Sequence, residues 1–143
     1  MNPDSEDLSP RKVTPSEVDR WHRLAERVRQ DLSASGLTVH ATAEHGPLPH
    51  EGGGWIELDD LDDAGGGVWL HWELHPRVRE AIRTAIRHSQ VGDPFLEATR
   101  QAYESTVTAV LATLTALGYE AERSRDDYRP YAVRVLAHPD IHA

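Results

Sequence analysis

The chain of 143 residues has no cysteine, a single lysine, a single phenylalanine and a single methionine. Without cysteine there are no disulfides, no thiolate metal sites and no cysteine nucleophile. No apolar run approaches the ~20 residues needed to span a bilayer. The opening stretch MNPDSEDLSPRK has no apolar segment of the secretory type, so a cytoplasmic location with no membrane partner is expected. Fourteen arginines stand against the one lysine, a bias in keeping with a GC-rich bacterial genome. The hydrophobic fraction is only 38%. Several periodic segments nevertheless predict a folded core, and the length fits one domain.

A further absence is local. Residues 30–76 hold no Lys or Arg, yet they carry nine acids: Asp31, Glu44, Glu51, Glu57, Asp59, Asp60, Asp62, Asp63 and Glu73. The formal net charge of −9 lies wholly in this third of the chain, because acids and bases balance elsewhere. Five of the nine histidines fall there too: His40, His45, His50, His71 and His75. Such a segment attracts cations and repels phosphates, which argues against a nucleic-acid partner. The Arg79, Arg83, Arg87 ridge reads as a solvated helix face.

Residues 1–12 read as a flexible tail, 13–137 as the domain and 138–143 as a polar tail. Thr14, Pro15 and Glu17 predict a capped helix start, with Thr14 and Glu17 as a capping box. Val18, Trp21, Leu24, Ala25, Val28 and Leu32 form its apolar stripe, and Gly36 its end. The alternation in LTVHATA (37–43) predicts a strand. Two further strands follow, with Ile56 and Leu58 inward on the first and Val68, Leu70, Trp72 and Leu74 inward on the second. A turn centred near Ala64 would pair Leu58 with Leu70, Ile56 with Trp72, Glu57 with His71, Asp59 with Trp69 and Trp55 with Glu73.

Pro76 opens a helix with Val78, Ala81, Ile82, Ala85 and Ile86 inward. Asp93 caps a longer one, whose stripe is Leu96, Tyr103, Val107, Val110, Leu111, Leu114 and Leu117 and whose stop is Gly118. YEAERS and YAVRVLA predict a hairpin around RDDYRP. The element order is therefore α-β-β-β-α-α-β-β. It describes an α+β fold with a mainly antiparallel sheet of about five strands and helices on one face. In outline that order resembles small acidic secretion-chaperone-like α+β domains, with no motif to carry the likeness.

His71, Glu73 and His75 alternate along VWLHWELHP (68–76). His-x-Glu on a strand can begin an iron or zinc site. However, residues four apart on a strand lie ~13 Å from one another, too far to share one ion. DDLDDAGGG lacks the EF-hand ligand pattern. Walker, dinucleotide and Gly-x-Ser-x-Gly motifs are absent. Glu57 with His71 as an acid–base pair competes with the commoner cross-strand charge pair. No catalytic residue, metal ligand or cofactor is assigned.

The outward face of the second and third strands remains: Trp55, Glu57, Asp59, Trp69, His71 and Glu73. Two tryptophans in an acidic field suit a contact surface for a basic protein, unless a helix or the 44–54 loop covers them. The expectation is a non-enzymatic acidic binding module, of immunity, inhibitor or secretion-chaperone type. The alternative is a metal-binding protein or metal-dependent enzyme using His71 and Glu73.

Overall fold

The computed structural model describes residues 12–40, 52–61, 65–87 and 94–142. Their elements are α1 (Pro15–Ala34), β1 (Gly53–Asp59), β2 (Gly67–Glu73), α2 (Pro76–Arg87), α3 (Pro94–Ala116), β3 (Glu120–Arg123) and β4 (Ala132–Ala137). The class is α+β, with an antiparallel sheet of four strands in the order β1-β2-β4-β3. No helix among the described residues is long and apolar enough to cross a membrane.

Thr14 caps α1, its hydroxyl accepting from the amide of Glu17 at 3.3 Å. The return half of the expected capping box is replaced, because the Glu17 carboxylate pairs with Arg20 instead. Gly36 (φ +90°) closes the helix in the left-handed region, with Leu37 N donating to Leu32 O at 2.9 Å. Gly118 (φ +93°) does the same for α3, with Tyr119 N donating to Leu114 O at 3.0 Å. Both stops match the sequence, since a residue with a Cβ rarely adopts this geometry.

Leu24, Ala25, Val28 and Leu32 of α1 and Val107, Val110 and Leu114 of α3 bury against one face of the sheet. That face supplies Ile56, Val68, Leu70, Val133 and Val135, while Trp21, Leu58 and Trp72 pack partly against the same core. α2 packs on α3. Leu117 lies just past the last turn of α3 and is 38% exposed, not inward. Arg83 and Arg87 of the arginine ridge both pair with Glu80. The Asp93 cap and the side chains of Arg79, Ala85, Ile86 and Leu96 lie outside the described residues.

The strand expected at 37–43 is, within the described residues, a single parallel bridge between Val39 and Gly54. His40 N donates to Gly54 O and Gly54 N to Thr38 O, each at 2.8 Å. A Cβ at Gly53 would lie 2.8 Å from Thr38 O, so a glycine lets the two backbones approach this closely. Residues 41–43 lie outside the described set.

The β1–β2 register differs from the expected one by two residues. Trp55 faces His71, Ile56 faces Leu70, Glu57 faces Trp69, Leu58 faces Val68 and Asp59 faces Gly67. The faces are conserved by this even shift. Its physical reason is the indole of Trp72, which packs against Gly54, where a Cβ would meet the ring at 3.0 Å. The expected pairing would have set that ring against the Ile56 side chain. The turn centre itself falls outside the described residues.

After β4 the chain returns to α1. Arg27 pairs with Asp140 at 3.2 Å, Arg23 donates to His142 O at 2.7 Å, and Ile141 packs against the core. His138 is buried, its Nε2 donating to Leu117 O and its Nδ1 accepting from Asp140 N, each at 3.1 Å.

Gly54→Ala is expected to destabilise the fold by about 1–3 kcal/mol, the usual cost of overpacking. Urea denaturation followed by tryptophan fluorescence checks this. A loss of less than about 0.5 kcal/mol, the scale of an indifferent surface change, would contradict the account of the register.

Candidate functional site

Strand alternation alone puts Gly53, Trp55, Glu57 and Asp59 of β1 and Gly67, Trp69, His71 and Glu73 of β2 on the sheet face away from the helices. Arg134 of β4 faces the same way, opposite Trp69. All six sequence-predicted residues therefore share one surface. They are not equally accessible on it.

Trp69 is only 3% exposed. Its indole N–H donates to Gly65 O at 2.8 Å. The guanidinium of Arg129 lies over its ring, 4.5 Å from the centroid, and that of Arg134 lies 5.4 Å away. Among the described residues the cover over Trp69 is thus the β3–β4 loop with Arg134 of β4 and not a helix, while residues 44–51 of the loop expected there lie outside the described residues. Trp69 supports the face from beneath and offers no surface to a partner.

Arg129 holds this loop down. Its Nε and Nη2 donate to the two oxygens of Glu57, each at 2.9 Å, in a bidentate pair. Nη2 also donates to Asp59 at 3.1 Å, and Nη1 to Asp126 at 2.8 Å. Three carboxylates and one aromatic face surround one guanidinium, whose planar fork suits this geometry better than an ammonium would. Hydrogen bonding to Glu57 is the largest cause holding Arg129 above the ordinary arginine range, against the opposing effect of burial.

His71 Nε2–H donates to Glu57 Oε1 at 2.8 Å. The expected contact is made, but diagonally, since the residue directly opposite Glu57 is Trp69. The residue directly opposite His71 is Trp55, and their rings stack at 4.2 Å with an interplanar angle of 12°. The Trp55 indole N–H is buried and has no hydrogen-bond partner among the described residues.

Beyond the Trp55–His71 stack, the end of the sheet opens into a groove of about 630 Å³. Its walls include Trp55, His71, Glu73, Tyr103, Tyr128 and Tyr131. Tyr103 of α3 stacks on Tyr131 at 4.6 Å and 10°. Tyr128 is 95% exposed at the rim. Among the described residues, Glu57, Glu73 and Asp126 line the groove against one guanidinium, that of Arg129, an excess of negative charge. Glu73 makes no ion pair or hydrogen bond among the described residues.

Several neighbours that would complete a metal site around His71 and Glu73 are already engaged. Both Glu57 oxygens already accept from Arg129, whose charge a bound cation would have to displace. His75 Nδ1 accepts from Arg77 N at 3.2 Å, and His40 Nε2 contacts Gly52 O at 3.0 Å. Among the described residues no group of three or more His, Asp or Glu could hold an ion.

Sequence reasoning missed Arg129, Asp126, Tyr103, Tyr128 and Tyr131. The available signal was the charge map: a strand pair rich in acids and free of bases must take its counter-charge from elsewhere. RDDYRP supplies two arginines one hairpin away.

The guanidinium of Arg129 beside Glu57 is the main cause holding its carboxyl below the ordinary value of 4.5, with burial opposing and His71 adding to the effect. A depressed folded value stabilises the protein above about pH 4.5, and that contribution is lost as pH falls through the folded value. Glu57→Gln should cost about 1–3 kcal/mol at pH 7, between an exposed pair and a buried one. The gap from wild type should close as pH is lowered below 4.5 and through the folded value, as read by denaturant melts across pH. A gap constant with pH would contradict the pairing.

Comparisons of the chain with protein-family models, curated protein sequences and solved structures find no match.

Proposed function

We propose that this chain is a non-enzymatic, acidic protein-binding module whose outer sheet face receives a basic polypeptide. An inhibitor or immunity-type protein that neutralises a basic target would work in this way, as would a secretion chaperone that masks a cationic segment. The observation carrying the reading is the groove at the end of that face, where aromatic rings and carboxylates outnumber a guanidinium that is already saturated.

The physical logic has two parts. Carboxylates in a segment devoid of Lys and Arg give a field that steers a cationic partner and speeds its encounter. Aromatic rings then supply rigid contact area with little entropy to lose. Here Trp55, half-buried, and Tyr128, exposed, offer that area, whereas Trp69 does not. Asp60, half exposed and only loosely paired with Lys12 at 3.8 Å, extends the acidic surface past the end of β1.

Affinity isolation with the tagged full chain tests this. A single basic polypeptide in stoichiometric amount is expected, released by about 1 M salt, where charges are screened beyond about 3 Å. The Asp60→Asn/Glu73→Gln double variant should retain markedly less of it. Recovery of an acidic or neutral partner, indifferent to salt and to the double substitution, would overturn the reading.

A further inference from the structure

The outer face holds one guanidinium between an aromatic ring and carboxylates, and carries a second set of aromatic and acidic side chains further along. In the first set, the Trp69 ring and the carboxylates of Glu57, Asp59 and Asp126 hold the guanidinium of Arg129. In the second, further along the same strands, the Trp55–His71 stack and Glu73 line the same groove. Glu73 follows His71 by two positions and shares its side of the sheet, as Glu57 follows Trp55. No Arg or Lys among the described residues pairs with Glu73.

We infer that this second set is a seat, the binding site for an arginine side chain presented by the basic partner, with Glu73 as its counter-charge and the Trp55 and Tyr128 rings as its walls. The inference rests on the proposed function and specifies its point of contact. A guanidinium is planar, weakly hydrated and forked, so it can stack on an aromatic face and still donate two parallel hydrogen bonds to one carboxylate. An ammonium is compact and strongly hydrated and matches only the charge. Arg129 shows that this sheet face accommodates the guanidinium mode. The groove volume of about 630 Å³ leaves room for flanking residues of a peptide as well.

The seat also borrows stability from its neighbour. Glu57 fixes His71 through Nε2, and His71 supports the Trp55 ring by stacking. The aromatic wall is therefore held before any ligand arrives, which lowers the ordering cost of binding.

The test titrates the full chain with an oligo-arginine peptide and an oligo-lysine peptide of equal length, at low salt, by calorimetry and tryptophan fluorescence. The arginine peptide should bind roughly five- to tenfold more tightly, the margin expected from stacking plus a bidentate pair. Glu73→Gln should remove most of that margin and leave the thermal melt unchanged. Glu97→Gln serves as a control, since Glu97 is exposed on α3 and paired with Arg100. If both peptides bind equally and the two variants behave alike, the seat is wrong while the basic-partner reading stands. If neither peptide binds at low salt, both are overturned.

Discussion

The guanidinium of Arg129 sits between Glu57, Asp59 and Asp126 with the Trp69 ring beneath it, and the outer half of the molecule depends on that arrangement. The acidic β1–β2 pair would otherwise present adjacent carboxylates with no counter-charge from its own segment. Arg129 supplies that charge across a separation of 72 positions. In doing so it folds the β3–β4 loop over the sheet, buries Trp69 and sets Asp126, Tyr128 and Tyr131 along one wall of the groove. With its side chain only 13% exposed, the interaction is strengthened by partial exclusion of water, and leaving any one partner alone there would be costly.

The consequences divide between the two faces of the sheet. The inner face is an ordinary core of α1 and α3 packed on Ile56, Val68, Leu70, Val133 and Val135, held by burial of apolar surface. The outer face is held by charge, stacking and hydrogen bonds. Its stability therefore responds to pH and salt in ways the core does not. Trp72 joins the two, because its ring covers Gly54 on the inner side and its neighbours shape the groove.

Elements whose signals are local were legible in the sequence. Thr14 and Pro15 start α1, and Gly36 and Gly118 stop α1 and α3, because capping and left-handed backbone are matters of a few adjacent residues. The two faces of β1 and β2 were legible from period-two alternation. The exact register was not, because it turns on the fit of Trp72 over Gly54, a contact between strands. The alternation of 37–43 was read as a strand, but the described part of it contributes one bridge at the edge of β1. The candidate site was half legible. Its six β1–β2 residues followed from alternation, whereas the loop and helix residues that enclose it arrive from distant segments without a spacing pattern. The charge imbalance pointed to the need for Arg129 but not to its place.

Amide hydrogen exchange in an Arg129→Gln variant tests most directly whether this one guanidinium organises the outer face. The amides of Ser124, Asp126, Tyr128, Arg129 and Ala132 are all hydrogen-bonded within or at the ends of the β3–β4 loop. If Arg129 pins the loop, exchange across 124–131 should accelerate by about tenfold or more, a local opening made easier by roughly 1.4 kcal/mol. The helices and the β2–β4 ladder should keep their protection. Unchanged protection in the loop would contradict the account, because the groove would then be shaped by something other than this ion pair.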